Sequence, residues 1–239
     1  MKTAFITGGG KGLGKGFSDF FLKQGFQVFI GVLSLKEVEP ELAKQKNLVI
    51  VTMDVSSDDS IKKAFNEVKS KTDNIDFLIN NAGLNKDSAT NNHKELVCNL
   101  KDLDRKSLLK MFDINSVSPM LVLKEFVALM KSNPSFVINI TSGRSTYNDE
   151  LDFLNNSGNY GYKSSKAALN LMTFASVYDL PSNVKTFAVH PGNVLTEMNQ
   201  RGTDNPEIQA GKVIDITSQW KEEFNGKFLR FDGTLYKLQ

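Results

Sequence analysis

Tyr162 and Lys166 stand four residues apart in "NYGYKSSKAALN" (Asn159–Asn170), a segment that opens like a helix. Four residues advance a helix by about 6 Å and return nearly to the same face, so the phenol and the ammonium are neighbours. A free phenol ionises near ~10. A nearby cation favours the phenolate and lowers that value, which lets Tyr162 exchange a proton with a bound oxygen near neutral pH. Of the five tyrosines, Tyr162 alone has a lysine at this spacing; Tyr160 meets Ser164, Tyr147 meets Leu151 and Tyr178 meets Ser182. In isolation the pair reads as a packed tyrosine beside a solvated lysine. Ser142 ends an apolar run and can turn its hydroxyl into a cleft, with Ser145 as its nearest rival; a lone serine there reads as a turn residue. Asn115 sits inside a helical pattern where asparagine has poor propensity, which marks a local kink or a function.

A second pattern decides between the two readings of the tyrosine. "TGGGKGLG" (Thr7–Gly14) joins an apolar strand to an amphipathic helix. Gly8, Gly12 and Gly14 let the backbone approach a pyrophosphate, and the helix N-terminus offers unpaired N–H groups to its charge. Strand, turn and helix are all in place, so a nucleotide site outweighs a merely flexible loop.

These residues need a scaffold, and the chain supplies one. Apolar runs at Thr3–Thr7, Gln27–Leu33, Asn47–Asp54, Ile75–Asn80, Ser135–Thr141, Val184–His190 and Gly226–Phe231 read as strands. Helical patterns alternate with them. Leu13, Phe17, Phe20 and Phe21 share one face before Gly25. Ile61, Ala64, Phe65 and Val68 share another behind a Ser56 or Ser57 cap, and a long helix is expected around Leu103–Met130. Strands that are apolar throughout and alternate with helices predict an α/β fold: a doubly wound, Rossmann-type parallel sheet of about seven strands in three α/β/α layers. The 239 residues suit one domain, 1–239, with the substrate site inside it. Thr196–Ala210 reads as the most loop-like stretch of the second half.

A net charge of +2 gives no field for nucleic acid or an anionic membrane. Two histidines and the single Cys98 predict no metal site and no internal disulfide. No apolar run is long enough to span a bilayer, and the start lacks a signal-like segment, so a soluble cytoplasmic protein is expected.

The spacing of the glycines, with three residues between the first two, resembles the short-chain dehydrogenase/reductase family. "NNAG" (Asn80–Gly83), Asn115 in "DINSVSP", Ser142 in "INITSG", Tyr162 with Lys166, and "HPGNVLT" (His190–Thr196) are similar to its further motifs, in the family's order. The resemblance implies an oxidoreductase interconverting a small carbonyl compound and an alcohol. Tyr162 would be the proton donor and Ser142 the oxygen holder. Lys166 would tune Tyr162 and bind the nicotinamide ribose, and the Asn115 carbonyl would hold a water on the proton path. It implies cofactor contacts from Thr7, Gly8, Gly10, Lys11, Gly12, Leu13 and Gly14. Further contacts would come from Asp54 and Val55 at the adenine, Asn81 bracing the fourth strand, and Ala82 and Gly83 at the adenosine ribose. Pro191, Gly192, Val194 and Thr196 would approach the carboxamide or pyrophosphate.

An acid ending the second strand would bind a ribose 2′-hydroxyl and repel a 2′-phosphate. That position falls at about Val32, and no acid occurs before Glu37. Lys11 stands where NADP-preferring relatives place a base, with Ser34 and Lys36 nearby, so NADP(H) is expected over NAD(H). The nineteen residues between Ser142 and Tyr162 are more than the family usually has and predict a flap at the substrate mouth. That gap, "HPGNVLTEM" and "NGKFLRFDG" resemble the carbonyl-reductase-like branch that includes the C-signal proteins. The ending departs from the family's, with Thr234 after Asp232–Gly233. A homodimer or homotetramer is the implied assembly, and a sensor of the same fold with little turnover is the alternative function.

Overall fold

The computed structural model describes residues 1–85, 99–146 and 158–236. Side chains alternate across a strand, and here both alternations are apolar. In β1 (Thr3–Thr7), Ala4 and Ile6 face one layer of the core and Phe5 the other, all with no exposure. Burial on both faces requires helices on both, and the chain provides them. α1 (Gly12–Lys23) and α7 (Pro206–Ser218) cover one face through Phe17, Phe21, Val213 and Ile214. α3 (Asp58–Lys69) and α5 (Ser118–Phe126) cover the other through Ile61, Val68, Val122 and Phe126.

The remaining strands are β2 (Gln27–Val32), β3 (Leu48–Thr52), β4 (Phe77–Asn80), β5 (Ser135–Ile140), β6 (Val184–His190) and β7 (Phe228–Arg230). Among the described residues the seven strands form one parallel sheet ordered β3-β2-β1-β4-β5-β6-β7. The order reverses between β1 and β4, and the carboxyl ends of these two strands border a crevice of the kind where such sheets bind ligands. The expected fold class is thus observed.

Local caps set the boundaries as the sequence suggests. Ser57 caps α3 by accepting from Ser60 N, and Gly25 takes the left-handed φ of +77° after α1. The expected long helix at Leu103–Met130 is instead four pieces. α4 (Arg105–Phe112) runs into a π-helical segment at Asp113–Val117, then α5, then a 3-10 turn at Val127–Leu129. Hydroxyls bond the carbonyls of the widened turn, Ser116 Oγ to Phe112 O and Ser118 Oγ to Asp113 O, both at 2.8 Å. The loop expected through Ala210 ends early because Asn205 caps α7, accepting from the Glu207 and Ile208 amides, with Pro206 as the first helical residue. α6 (Tyr160–Ser176) packs against α4 and β6. A short helix, α2 (Pro40–Ala43), lies between β2 and β3.

Beyond β7 the chain turns at Gly233, φ +80°, and folds back. Leu235 bridges antiparallel to Leu229, Arg230 N donates to Thr234 O at 2.8 Å, and Tyr236 N donates to Phe228 O at 2.9 Å. The Tyr236 ring stacks on Phe228 with centroids 4.3 Å apart. This turn follows from the unusual ending, where Gly233 supplies the one conformation a side chain resists.

Candidate active site

β5 and α6 bring the chemical residues together. Lys166, 5% exposed, extends its Nζ to donate to Ile140 O at 2.7 Å, and Thr141 Oγ1 donates back to Lys166 O at 3.2 Å. These two bonds fasten the helix of Tyr162 to the strand end from which Ser142 emerges. Tyr162 is half-buried, one turn before Lys166 on α6. Burial pushes the Lys166 ammonium down to about 8. The group therefore stays mostly protonated at pH 7 and keeps its charge one helical turn from Tyr162.

Ser142 caps the 3-10 turn Gly143–Ser145, its Oγ accepting from Arg144 N at 3.2 Å. Ser145, its rival, is occupied structurally. Its hydroxyl donates to Ser142 O at 2.5 Å and accepts from Asn170 Nδ2 at 2.8 Å. Ser145 thus props the turn that presents Ser142.

Asn115 lies in the π-helical segment with no exposure. Its Oδ1 accepts from Leu84 N at 2.7 Å, and its Nδ2 donates to Leu84 O at 3.0 Å and to Ser165 Oγ at 3.0 Å. Ser165 Oγ donates in turn to Tyr162 O at 2.9 Å. A Cβ placed on Gly83 would lie 3.2 Å from Asn115 Oδ1 and 3.5 Å from Lys166 Nζ. The segment after β4, the widened helix and the tyrosine-bearing helix therefore converge on one point. The interruption of the helix falls at Asn115, the position the sequence marked for a kink or a function.

The glycine loop is shaped for close approach. Gly8 and Gly12 have φ of +65° and +53°. A Cβ on Gly14 would stand 2.0 Å from Gly8 O, so the helix can sit this close to the strand only with glycine there. α1 starts with no side chain capping it and no acid in its first turn. Its first amides thus face the crevice beside β1, where an anion would be stabilised. Thr7 Oγ1 accepts from both Asn81 N and Ala82 N at 3.0 Å, and Asn81 Nδ2 donates to Thr7 O at 3.0 Å and Gly8 O at 3.1 Å. Thr7 and Asn81 therefore lock the two strand ends and fix the loop between them. These features fit a dinucleotide pyrophosphate.

The segment after β6 closes over the loop. Thr196 lies against Gly12, where a Cβ would meet its side chain at 3.3 Å, and the Gly192 φ is +98°. Asp204 holds Asn193 N at 2.7 Å, and Val194 forms a bridge to Asp204. Lys11 Nζ sits 3.2 Å from Glu197 and 3.9 Å from Glu37. Ser34 caps the turn after β2, and Asp54 Oδ1 accepts from Ser56 N and Oγ. Asp54 and Asp58 add their charges to the burial that raises the Asp113 carboxyl, so this rim of the crevice is acidic.

The sequence reading missed a buried clamp before α6. Asn159 has the left-handed φ of +41°, is 1% exposed, and donates from Nδ2 to Asn85 Oδ1 at 3.2 Å. Asparagine directly before a helix start, where it tolerates that conformation, was the available signal. Most of the expected flap between Ser142 and Tyr162 (147–157) lies outside the described residues, as do 86–98 of the polar stretch Leu84–Asp102, from which the sequence also leads one to expect substrate-lining residues.

Residues 2–207 match the family described as short chain dehydrogenase. The 3-oxoacyl-[acyl-carrier-protein] reductase FabG of Aquifex aeolicus is 30% identical, covering 98% of this chain and 97% of that protein. The short chain dehydrogenase tazN of Aspergillus terreus is 25% identical over 99% of this chain, which spans about half of that longer protein, 53%. Carbonyl reductase Sniffer of D. melanogaster superposes with TM-score 0.84 at 26% identity, covering 98% of each chain. An NADPH-bound carbonyl reductase from chicken fatty liver gives TM-score 0.83 at 24% identity, covering 99% of this chain and 98% of that one. Matched in sequence across most of its length, and alike in fold to those reductases, the chain belongs to the short-chain dehydrogenase/reductase family, in its carbonyl-reductase-like branch, and is an NAD(P)-dependent oxidoreductase.

Proposed function

We propose that this chain interconverts a small ketone or aldehyde and an alcohol with NADP(H), using Tyr162 as general acid–base. The observation that carries the reading is the double fastening of α6 to β5 through Lys166 and Thr141, which ties the helix that bears Tyr162 to the strand end that precedes Ser142. The dinucleotide supplies or accepts the hydride when bound. Tyr162 gives its phenolic proton to the carbonyl oxygen, or takes it back in the oxidative direction, and Ser142 holds that oxygen by a hydrogen bond. Lys166 stabilises the phenolate through its charge and offers donors to the nicotinamide ribose. Asn115 keeps this geometry by joining Leu84 to α6, and its carbonyl holds a water that links Lys166 to solvent and replaces the proton.

Thr7, Gly8, Gly10, Lys11, Gly12, Leu13 and Gly14 hold the pyrophosphate side of the cofactor. Asp54, Val55, Ala82 and Gly83 line the adenosine, and Pro191, Gly192, Val194 and Thr196 the carboxamide or the pyrophosphate. NADP(H) is favoured by Lys11 and Ser34 beside the second strand, and by the NADPH that the chicken reductase carries. The protein works in the cytoplasm without a metal; among the described residues no helix is long and apolar enough to cross a membrane. It assembles as a homodimer or homotetramer.

Replacing Tyr162 by Phe tests the reading. The loss of general acid–base catalysis lowers kcat about 10²–10⁴-fold, while the dissociation constant for NADPH, measured by calorimetry, stays within about twofold. Unchanged turnover would remove Tyr162 from the chemistry. Tight NADPH binding without turnover on any of a panel of small carbonyls would favour the sensor.

A further inference from the structure

Tyr162, Lys166 and Asn170 stand on successive turns of α6, along one face. The first two carry the proposed chemistry. Asn170, the third in the row, is 8% exposed. Its Nδ2 donates to Ser145 Oγ at 2.8 Å, while its Oδ1 is buried with no hydrogen-bond partner among the described residues. A buried acceptor left unpaired is costly. A side chain wanted only for packing would carry no such atom, so the use of Asn170 lies in its donor half.

That donor sets the direction of a short chain. Ser145 Oγ and Ser142 O are 2.5 Å apart, and two oxygens in such contact need a proton between them, so the Ser145 hydroxyl donates to Ser142 O. A lone pair of Ser145 then faces Asn170, and an amide nitrogen, which only donates, matches it. Ser142 O also accepts from Ser145 N at 3.0 Å, which closes the turn. With its carbonyl held twice, Ser142 keeps an extended backbone, φ −151° and ψ 144°. Its Oγ accepts from Arg144 N at 3.2 Å. That bond uses a lone pair of the hydroxyl and leaves its proton to be given to another oxygen.

We propose that Asn170 is a positioning residue for the carbonyl reaction, acting through Ser145 to hold Ser142 as a hydrogen-bond donor to the substrate oxygen. The inference rests on the role given to Ser142 above. A carbonyl oxygen gains negative charge as its carbon is reduced, so a donor kept in line counts most in the transition state. Loosening the turn therefore lowers kcat and leaves KM nearly unchanged.

Steady-state kinetics at saturating NADPH test it, with a small aldehyde from the panel above that wild type reduces. Asn170→Leu and Ser145→Ala each lower kcat about tenfold, a part of the ~10²–10³ that loss of a donor at a developing oxyanion costs. Ser145→Thr keeps the hydroxyl and stays within about threefold of wild type. In a Ser142→Ala background, Asn170→Leu changes kcat by less than about twofold, because the group it acts through is gone. An equal loss in both backgrounds, or a loss in KM alone, overturns the role of Asn170 and leaves that of Ser142 intact. Ser142→Ala as active as wild type, or no turnover by wild type, overturns both. Should Asn170→Leu not fold, the Ser145 pair decides, and equal kcat for Ser145→Ala and Ser145→Thr overturns the proposal.

Discussion

Lys166 is the residue where stability and the proposed chemistry pull in opposite directions. Its ammonium is held at about 8 by burial, against the usual lysine value of 10.5. Below pH 8 the group is charged in both the folded and unfolded chain, and the full desolvation cost stands. Between pH 8 and 10.5 the folded chain releases the proton while the unfolded chain keeps it, so this group's contribution rises with pH across that window. The expected swing is about 3 kcal/mol. Urea midpoints of wild type and Lys166→Met from pH 7 to 10 check it: wild type gains on the variant as pH rises, and parallel curves would exclude the assignment. At this scale the sequence was informative where chemistry is local. Tyr162 and Lys166 are four residues apart, and helical periodicity alone makes them neighbours. The Asn85–Asn159 clamp joins residues 74 apart and the Asn115–Ser165 bond residues 50 apart. Neither is readable until the sheet has folded.

Elements are positioned here by close backbone approach and by buried polar bonds. α1 meets β1 through Gly14, whose added Cβ would stand 2.0 Å from Gly8 O. Gly14→Ala therefore forces the helix away from the strand. It should destabilise the protein by about 1–3 kcal/mol, as overpacking does, and weaken NADPH binding along with it. Thermal unfolding and a cofactor titration read the two effects, and a variant with wild-type melting would refute the packing argument. On the opposite face, Asn80 Nδ2 donates to Asn139 Oδ1 at 2.7 Å, and Asn139 Nδ2 donates to Thr173 Oγ1 at 2.9 Å, linking β4, β5 and α6 through the core. Strands and caps were legible because each follows a short-range rule, such as Ser57 before α3 or Gly25 after α1. The interruption at Asp113–Val117 was not, since the apolar period runs on either side of it and only Asn115 hinted at a break. Asn205–Pro206 carried a readable helix start that a view of the region as polar loop passed over.

The whole molecule leaves an apolar stripe on the outside. Leu171, Phe174 and Tyr178 are 69%, 41% and 77% exposed at helical spacing, and Leu109 on the adjoining α4 is 61% exposed. In the homodimer proposed above, a two-fold axis on this stripe would bury it against its own copy. Leu171→Lys should weaken that association at least tenfold, since it sets like charges opposite one another at the axis. Sedimentation velocity across a dilution series measures it, and an unshifted dissociation midpoint counts against this face. The fold class itself was the most legible property, because doubly apolar strands alternating with amphipathic helices admit few arrangements.

The returning tail beyond β7 has a consequence of its own. Phe228 O and Arg230 N, which a terminal strand would present outward, are already engaged by Tyr236 N and Thr234 O. A margin whose donors and acceptors are spoken for cannot recruit a foreign strand. Any lateral growth of this sheet into larger polymers would have to begin at the far border, along β3.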